Sequence, residues 1–172
     1  MTEYKRLGTE FFSLRATEVA PKLLGKILCR RFNDGHTIRT RITETECYFG
    51  EEDTACHAHK GKTERTKNLY EKGGIAYVYL CYGLHSLLNV VTGDFGFPEA
   101  VLIRGTEDAD GPGKLTKLLC IDRSFNGEDF ISGSRLWIED DGTSCEYIST
   151  TRIGIDYADE IYKNIKWRFV KL

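Results

Sequence analysis

The sequence predicts an α+β fold built on a curved, mixed and largely antiparallel sheet, with short flanking helices and a protruding β-hairpin. Three observations predict this class: strand-like runs dominate, the helical runs are short, and hairpin turn sequences join neighbouring strands. A chain of 172 residues is long enough for one sizeable core. Residues 1–172 are therefore expected to form a single domain.

In the first half of the chain, turn and cap residues delimit the elements. Thr17 as an N-cap and Gly25 as a stop predict a short helix between them. Residues 33–35, Asn-Asp-Gly, are typical of a hairpin turn between two strand-like runs. The predicted elements are a helix over 17–24, strands over 26–32 and 36–48, and a long loop over 49–74 with a short helix near 67–72. Loops of that length tend to be functional.

The second half begins with a strand that is apolar on both faces and is followed by the turn residues Gly83 and Leu84. This pattern places Tyr82 at a hairpin tip, where an exposed aromatic ring is costly unless it contacts something. The alternative, a tyrosine folded back onto the sheet, stays open. The leucine spacing at 115, 118 and 119 is helical. The predicted elements are strands over 75–82, 87–91 and 100–103, a helix over 114–121, and strands over 135–138, 147–153 and 166–170.

Two carboxylates end the strand that we regard as central. Strict alternation puts Ile42, Glu44 and Glu46 on one face. Because Ile42 indicates that this face packs on the core, both carboxylates are expected to point into apolar surroundings. Burying unpaired carboxylates is costly, so such residues are either paired or used chemically.

The six cysteines and the termini bear on the environment of the protein. No apolar run of a signal peptide or of a membrane span is present, so we expect a cytoplasmic protein with reduced thiols and no membrane partner. No Cys-x-x-Cys pair occurs, and no metal site is predicted. The run Cys56-His57-Ala58-His59 is a weaker metal signal, which keeps a metal-dependent hydrolase as an alternative.

Basic residues concentrate in the segment 57–67, although the net charge of the chain is −2. A cationic loop of this kind can follow the phosphates of a nucleic acid, and a solvated surface loop is the alternative. The candidate phosphate-binding residues are Lys60, Lys62, Arg65, Lys67 and Lys114.

Four motifs occur in order along almost the whole chain. They are Glu-Thr-Glu-x-Tyr at 44–48, Tyr-Val-Tyr-x-x-Tyr-Gly at 77–83, Gly-Pro-Gly-Lys-Leu at 111–115 and Arg-Ile-Gly at 152–154. With these motifs the chain resembles the alkyladenine (3-methyladenine) DNA glycosylases of the mammalian type. The resemblance implies a base-excision repair enzyme that acts on damaged double-stranded DNA without a cofactor.

The resemblance also implies roles for individual residues. Glu46 matches the carboxylate that activates the attacking water, and Arg104 matches the arginine that helps hold this water. Tyr48, His57 and Tyr79 match the walls of the pocket that receives a flipped-out purine. Chemically, a carboxylate near the sugar can deprotonate water and stabilise an oxocarbenium-like transition state.

Further matches concern selectivity and DNA insertion. Asn89 matches a pocket residue that discriminates against the exocyclic amine of guanine, and Tyr82 matches the side chain that enters the duplex. Glu44 is expected to be structural or to bond to the backbone. The segment between Arg104 and Gly111 is shorter than the family pattern.

The expected substrates are alkylated or deaminated purines of the 3-methyladenine, 7-methylguanine and hypoxanthine class, and the product is an abasic site. We expect a monomer that would be associated with the nucleoid in a bacterium. A non-catalytic binder of distorted nucleic acid is the alternative reading of the same cationic loop and tip tyrosine.

Overall fold

A ten-stranded antiparallel sheet organises the computed structural model, which describes residues 2–172. The strands are β1 (Lys5–Arg6), β2 (Ile27–Arg31), β3 (Thr37–Phe49), β4 (Ala76–Cys81), β5 (His85–Val91), β6 (Glu99–Thr106), β7 (Ala109–Asp110), β8 (Leu136–Asp140), β9 (Tyr147–Thr150) and β10 (Arg168–Lys171). The main order is β1-β8-β2-β3-β6-β5-β4, with β7 paired to β6 and β10 paired to both β3 and β9. Every pairing among the described strands is antiparallel, which confirms the predicted α+β class and its largely antiparallel sheet.

The helices that accompany the sheet are short. They are α1 (Thr9–Phe12), α2 (Ala16–Lys22), α3 (Pro112–Leu118) and α4 (Glu160–Asn164), and three 3₁₀ turns span His57–Lys60, Lys67–Tyr70 and Arg123–Phe125. No helix in the described part of the chain has the length and apolarity that crossing a membrane requires. All six cysteines are free.

Strand β3 is the central element because neighbours hold it along its whole length. Its first half pairs with β2, and its second half lies between β6 and β10. Glu46 therefore sits opposite Leu102 on one side and Arg168 on the other. A residue hydrogen-bonded into a sheet on both sides has a fixed position, which is what a reactive side chain needs.

The predicted alternation along β3 is wrong at one point. The register is irregular between Ile42 and Thr45, as in a β-bulge. Ile42 and Cys47 consequently belong to the same buried core, although strict alternation would place them on opposite faces. Glu44 and Glu46 still share a face, but it is the face away from that core, and Glu46 is 0% exposed there.

Helix α2 covers the core face of β3, and the predicted helix over 17–24 needs correction. The helix begins at Ala16, so Arg15 and not Thr17 is the N-cap. A distant residue explains this start: the carboxylate of Glu99, from β6, accepts a 2.6 Å hydrogen bond from the Ala16 N–H. An acidic group at a helix N-terminus satisfies a free donor and interacts favourably with the helix dipole.

Other boundaries differ modestly from the predictions. Helices α1 and α4 were not predicted, because each has only about one turn. The helix predicted over 114–121 begins at Pro112, whose fixed φ suits a first helical position. The strand predicted over 147–153 ends at Thr150, and that predicted over 166–170 begins at Arg168.

Candidate active site

The hairpin of β4 and β5 carries the tip that the sequence predicted. A three-residue turn joins Cys81 to His85, and Tyr82 within it is 91% exposed. Tyr82 adopts φ +51°, a left-handed conformation that is uncommon for an aromatic residue. The ring is therefore held away from the sheet, and the alternative of a tyrosine folded back onto the strands is wrong.

Glu46 is buried beneath a cleft beside this hairpin: its partners Tyr48, Arg104 and Ile153 line the cleft, and Glu46 itself is covered by them. Its carboxylate is fully partnered. One oxygen, Oε2, accepts a 2.7 Å hydrogen bond from the Tyr48 hydroxyl. The other, Oε1, accepts a 2.9 Å bond from the backbone N–H of Ile153 and lies 3.4 Å from Nη1 of Arg104. Burial raises the pKa of Glu46, and the Arg104 charge and the two hydrogen bonds offset part of that rise.

Arg104 joins Glu46 to Glu44. Its Nε donates to Glu44 Oε1 across 3.2 Å, and Arg168 from β10 donates to the same oxygen. Glu44 thus bonds to two arginine side chains and not to the backbone. This shared carboxylate fixes the Arg104 guanidinium, because a planar fork bound to two carboxylates has little rotational freedom.

Aromatic rings form the wall of the cleft. The rings of His57 and Tyr79 meet edge to face with centroids 4.3 Å apart, and Tyr77 packs behind both. The cleft has a volume of about 560 Å³, and Tyr48, His57 and Tyr79 separate it from an inner cavity of about 20 Å³. The cleft is within the range of small-ligand sites, whereas the inner cavity has room for about one water molecule.

Electrostatics keep the wall uncharged. Burial, together with the nearby charge of Arg65, lowers the pKa of His57 to about 4. The Nδ1 atom of His57 lies 3.0 Å from the Tyr77 hydroxyl. His57 is therefore neutral at physiological pH.

Asn89 lies deeper than the aromatic wall. It is 3% exposed, lines the inner cavity, and its Nδ2 donates to the Tyr77 carbonyl across 3.2 Å. Leu102 lies opposite Asn89 on one side and opposite Glu46 on the other. Asn89 and Glu46 therefore lie in one row across the sheet.

The candidate phosphate-binding residues divide into two groups. Lys60, Lys62 and Arg65 are exposed, and Arg65 reaches to within 6.0 Å of the Tyr79 ring centroid. Lys67 pairs with Glu64, and Lys114, at the cleft, pairs with Asp110. Exposed pairs of this kind contribute little to stability, so a phosphate can compete for either lysine.

A buried ion pair behind the cleft was not assigned a role from the sequence. Both oxygens of Asp53 accept hydrogen bonds from Arg152, across 2.7 and 2.9 Å, and neither side chain is exposed. The guanidinium also stacks on the Tyr48 ring, 4.9 Å from its centroid. The Arg-Ile-Gly motif was the only signal available, since 99 residues separate the two partners.

The cysteine and histidine residues suspected of binding a metal do not converge. The Nδ1 atom of His57 faces the Tyr77 hydroxyl, and that of His59 faces the backbone carbonyl of Glu51. No group of three or more side chains able to hold a metal ion occurs within residues 2–172.

Comparison with known proteins finds relatives over most of the chain. A family model described as methylpurine-DNA glycosylase matches residues 10–110 and 106–171. A Borreliella burgdorferi protein is 44% identical over 173 residues, covering 92% of each chain. A Psychrobacter cryohalolentis protein is 42% identical over 179 residues, covering 87% of this chain and 84% of that protein. Both relatives carry the name "Putative 3-methyladenine DNA glycosylase".

These matches establish the class of the protein as DNA glycosylase, a DNA-binding enzyme of DNA repair. Within that class, the chain belongs to the methylpurine-DNA glycosylase family. The two matched segments overlap at 106–110, where β6 turns directly into β7, within the short segment between Arg104 and Gly111. A relative from Natranaerobius thermophilus aligns over 188 residues, more than the 172 of this chain, so it carries residues that this chain lacks.

Proposed function

We propose that this protein is a monofunctional glycosylase that flips alkylated or deaminated purines out of duplex DNA and hydrolyses their N-glycosidic bond. The observation that carries the proposal is the position of Glu46. Its carboxylate is buried directly behind Tyr48, Arg104 and Ile153, which line an aromatic cleft, and Arg104 lies 3.4 Å from it. Perturbed carboxylates in clefts are candidates for acid–base chemistry.

In the proposed reaction, a water molecule attacks C1′ of the sugar while Glu46 accepts its proton. The new C–O bond replaces the C–N bond, and the bonding electron pair leaves with the purine. An alkylated purine that is already cationic departs as a neutral base and needs no general acid, whereas neutral hypoxanthine departs as its anion and is protonated by solvent. Arg104 would hold the water and, through Glu44, keep a fixed orientation.

The cleft suits a damaged base because its wall is aromatic and uncharged. Stacking on an aromatic side chain is worth about 1–3 kcal/mol per base. That energy favours bases that are already poorly paired, since extruding them costs less. Neutral His57 adds no positive charge against a cationic purine.

The hairpin tip provides the complement to base extrusion. Tyr82 is exposed and points away from the sheet, and it lines the same cleft as Tyr48 and Tyr79. Inserting its ring between base pairs would fill the space that the extruded base leaves, offsetting part of the cost of unstacking. The exposed cations, Lys60, Lys62 and Arg65 with Lys67 and Lys114, would bind the flanking phosphates.

One observation favours a second candidate, a non-catalytic binder of distorted DNA. Glu46 has no solvent-exposed surface, and the inner cavity beyond the aromatic wall has room for only about one water molecule. A binder would need the wedge and the cations but not the carboxylate.

A base-release assay separates the two candidates. Duplexes that each contain one hypoxanthine, 3-methyladenine or 7-methylguanine are incubated with excess protein, and the released base is separated by chromatography. The proposed enzyme releases the base and leaves a strand that is cut only after alkaline treatment. Binding to these duplexes with no base released from any of them would establish the binder instead.

A further inference from the structure

The buried pair of Asp53 and Arg152 satisfies almost all of its own hydrogen-bonding capacity. Besides Arg152, each oxygen of Asp53 accepts one backbone N–H, from Phe49 and from Ala55. Arg152 also donates to the carbonyl oxygens of Cys47 and Tyr162. Only its Nε lacks a partner, which is a cost that buried groups rarely carry without a reason.

Two groups donate hydrogen bonds to Glu46, the Tyr48 hydroxyl and the Ile153 N–H, and Arg152 is adjacent to both. It bonds to the Cys47 carbonyl, in the peptide unit that leads into Tyr48, and its guanidinium stacks on the Tyr48 ring. Trp167 lies near the same guanidinium, 5.1 Å from ring centroid to Cζ. The guanidinium is thus packed against two rings, and its contact with Tyr48 restricts the rotation of that ring.

The second group is the backbone of the residue that follows Arg152. The Ile153 N–H donates to Glu46 Oε1 across 2.9 Å, yet its side chain is 47% exposed in a segment outside the helices and strands. The segment is held before this point by the pairing of β9 with β10 and after it by Ile155, which is buried against Ala55. Between these attachments the Arg152 guanidinium bonds to the Cys47 carbonyl of β3. The ion pair therefore contributes to the direction of the N–H.

We propose that Asp53 and Arg152 form a positioning pair that aims the Tyr48 hydroxyl and the Ile153 N–H at the two oxygens of Glu46. Neither residue touches the substrate in this arrangement; both act through their neighbours. The inference rests on the proposed function, because it assigns the pair a part in activating the water.

The charges around Glu46 give this arrangement a measurable consequence. Glu46 faces Tyr48 from its own strand, Arg104 from β6, Tyr79 from β4, and Arg152 and Tyr157 from the C-terminal segment. The Ile153 N–H, the Tyr48 hydroxyl and the Arg152 charge all favour the ionised carboxylate. Losing their alignment raises the pKa of Glu46, so the acid limb of the pH–rate profile moves to higher pH.

The experiment compares Arg152→Lys with Arg41→Lys. Arg41 also makes a forked pair, with Asp141, at 2.8 and 3.3 Å, and takes no part in the cleft, so it controls for the loss of a forked pair, although it is 23% exposed. Single-turnover base release from a hypoxanthine duplex is measured from pH 5 to 9, together with lesion-duplex affinity and thermal unfolding. We expect Arg152→Lys to slow release by about tenfold or more at pH 7, to shift the acid limb upward, and to leave affinity within about threefold. The control should keep the wild-type limb.

Two further variants keep the test independent of folding. Asp53→Asn removes the charge but keeps the shape, and Ile153→Pro removes the N–H at an exposed position, while also restricting the backbone of Arg152. Both should slow base release, and Ile153→Pro should reproduce the upward shift. A wild-type acid limb in Ile153→Pro would overturn the inference. So would Arg152→Lys and Asp53→Asn variants that are less stable but keep the wild-type rate and acid limb per folded molecule. Either result would leave the proposed function standing. No base release by the wild-type protein would overturn both.

Discussion

The hydroxyl of Tyr48 donates a 2.7 Å hydrogen bond to Oε2 of Glu46 within the same strand. The two side chains are two residues apart, so the pleat of β3 places them on one face. Burial and the Glu46 charge raise the pKa of Tyr48 well above its usual value, so the phenol stays protonated and acts as the donor. One tyrosine thus forms part of the cleft wall and stabilises the carboxylate below it.

Tyr48→Phe separates these two roles. The ring and its stacking surface remain, but Glu46 loses a donor that lowers its pKa. The proposed base must be ionised, so activity is lost when falling pH protonates Glu46. In Tyr48→Phe the pKa of Glu46 is higher, so this loss should begin at a higher pH than in the wild type. A pH–rate profile under single-turnover conditions should show the acid limb moved upward with lesion-duplex affinity nearly unchanged. An unmoved limb would mean that this hydrogen bond does not tune Glu46.

Tyr82→Ala tests the wedge. The side chain is 91% exposed, so we expect a change in unfolding free energy of no more than about 0.5 kcal/mol. Excision from duplex DNA should slow strongly, whereas excision from the same lesion in single-stranded DNA should not, since no stack has to be filled.

Leu84→Ala is the matched control for the wedge, because Leu84 lies in the same turn and is 77% exposed. It should retain most of the duplex activity. Equal losses in the two variants would indicate that the tip acts by general apolar contact and not through the Tyr82 ring.

The sequence predicted those parts of the site that depend on local pattern. The turn residues after Cys81 place Tyr82 at the tip, and the adjacent motif places Glu46 and Tyr48 on one strand. The alternation rule failed at the irregularity between Ile42 and Thr45, because a bulge changes which face a residue takes without leaving a marker in the sequence.

Long-range partners were beyond pattern reasoning. Asp53 and Arg152 are ordinary charged residues until the fold brings them together, and burial then makes them a strong pair. Glu99 as the acceptor for the start of α2 is a similar case, since the local sequence pointed to Thr17 as the cap. Such contacts depend on the topology of the whole sheet, whereas turns and strand periods depend on a few neighbouring residues.

The histidine of the cleft should titrate far below its usual range. We expect the ring of His57 to remain neutral down to about pH 5, because its pKa is about 4. In the unfolded chain His57 takes up a proton at about pH 6.5, before it does so in the folded protein. His57 therefore lowers the free energy of unfolding progressively as the pH falls from about 6.5 toward 4. A proton NMR titration of the His57 ring measures this pKa directly. A midpoint near 6.5 for His57 would contradict the assignment.

The salt dependence of binding tests the cationic segment. Lys62→Gln should lower the slope of log K against log salt by about one unit if Lys62 binds a phosphate, and should do so equally for damaged and undamaged duplexes. Lys5→Gln is the control, because β1 lies at the opposite end of the main strand order from β4. Equal slopes of log K against log salt in the two variants would show that Lys62 does not bind a phosphate.

The most direct test of the account is the single-turnover rate of base release by Glu46→Gln on a duplex with one hypoxanthine. The amide is nearly the same size as the carboxylate but is a poor proton acceptor, so the rate should fall by about 10²-fold or more while the lesion duplex is still bound. Release at the wild-type rate would contradict the account, because the carboxylate buried beneath the cleft would then take no part in the chemistry.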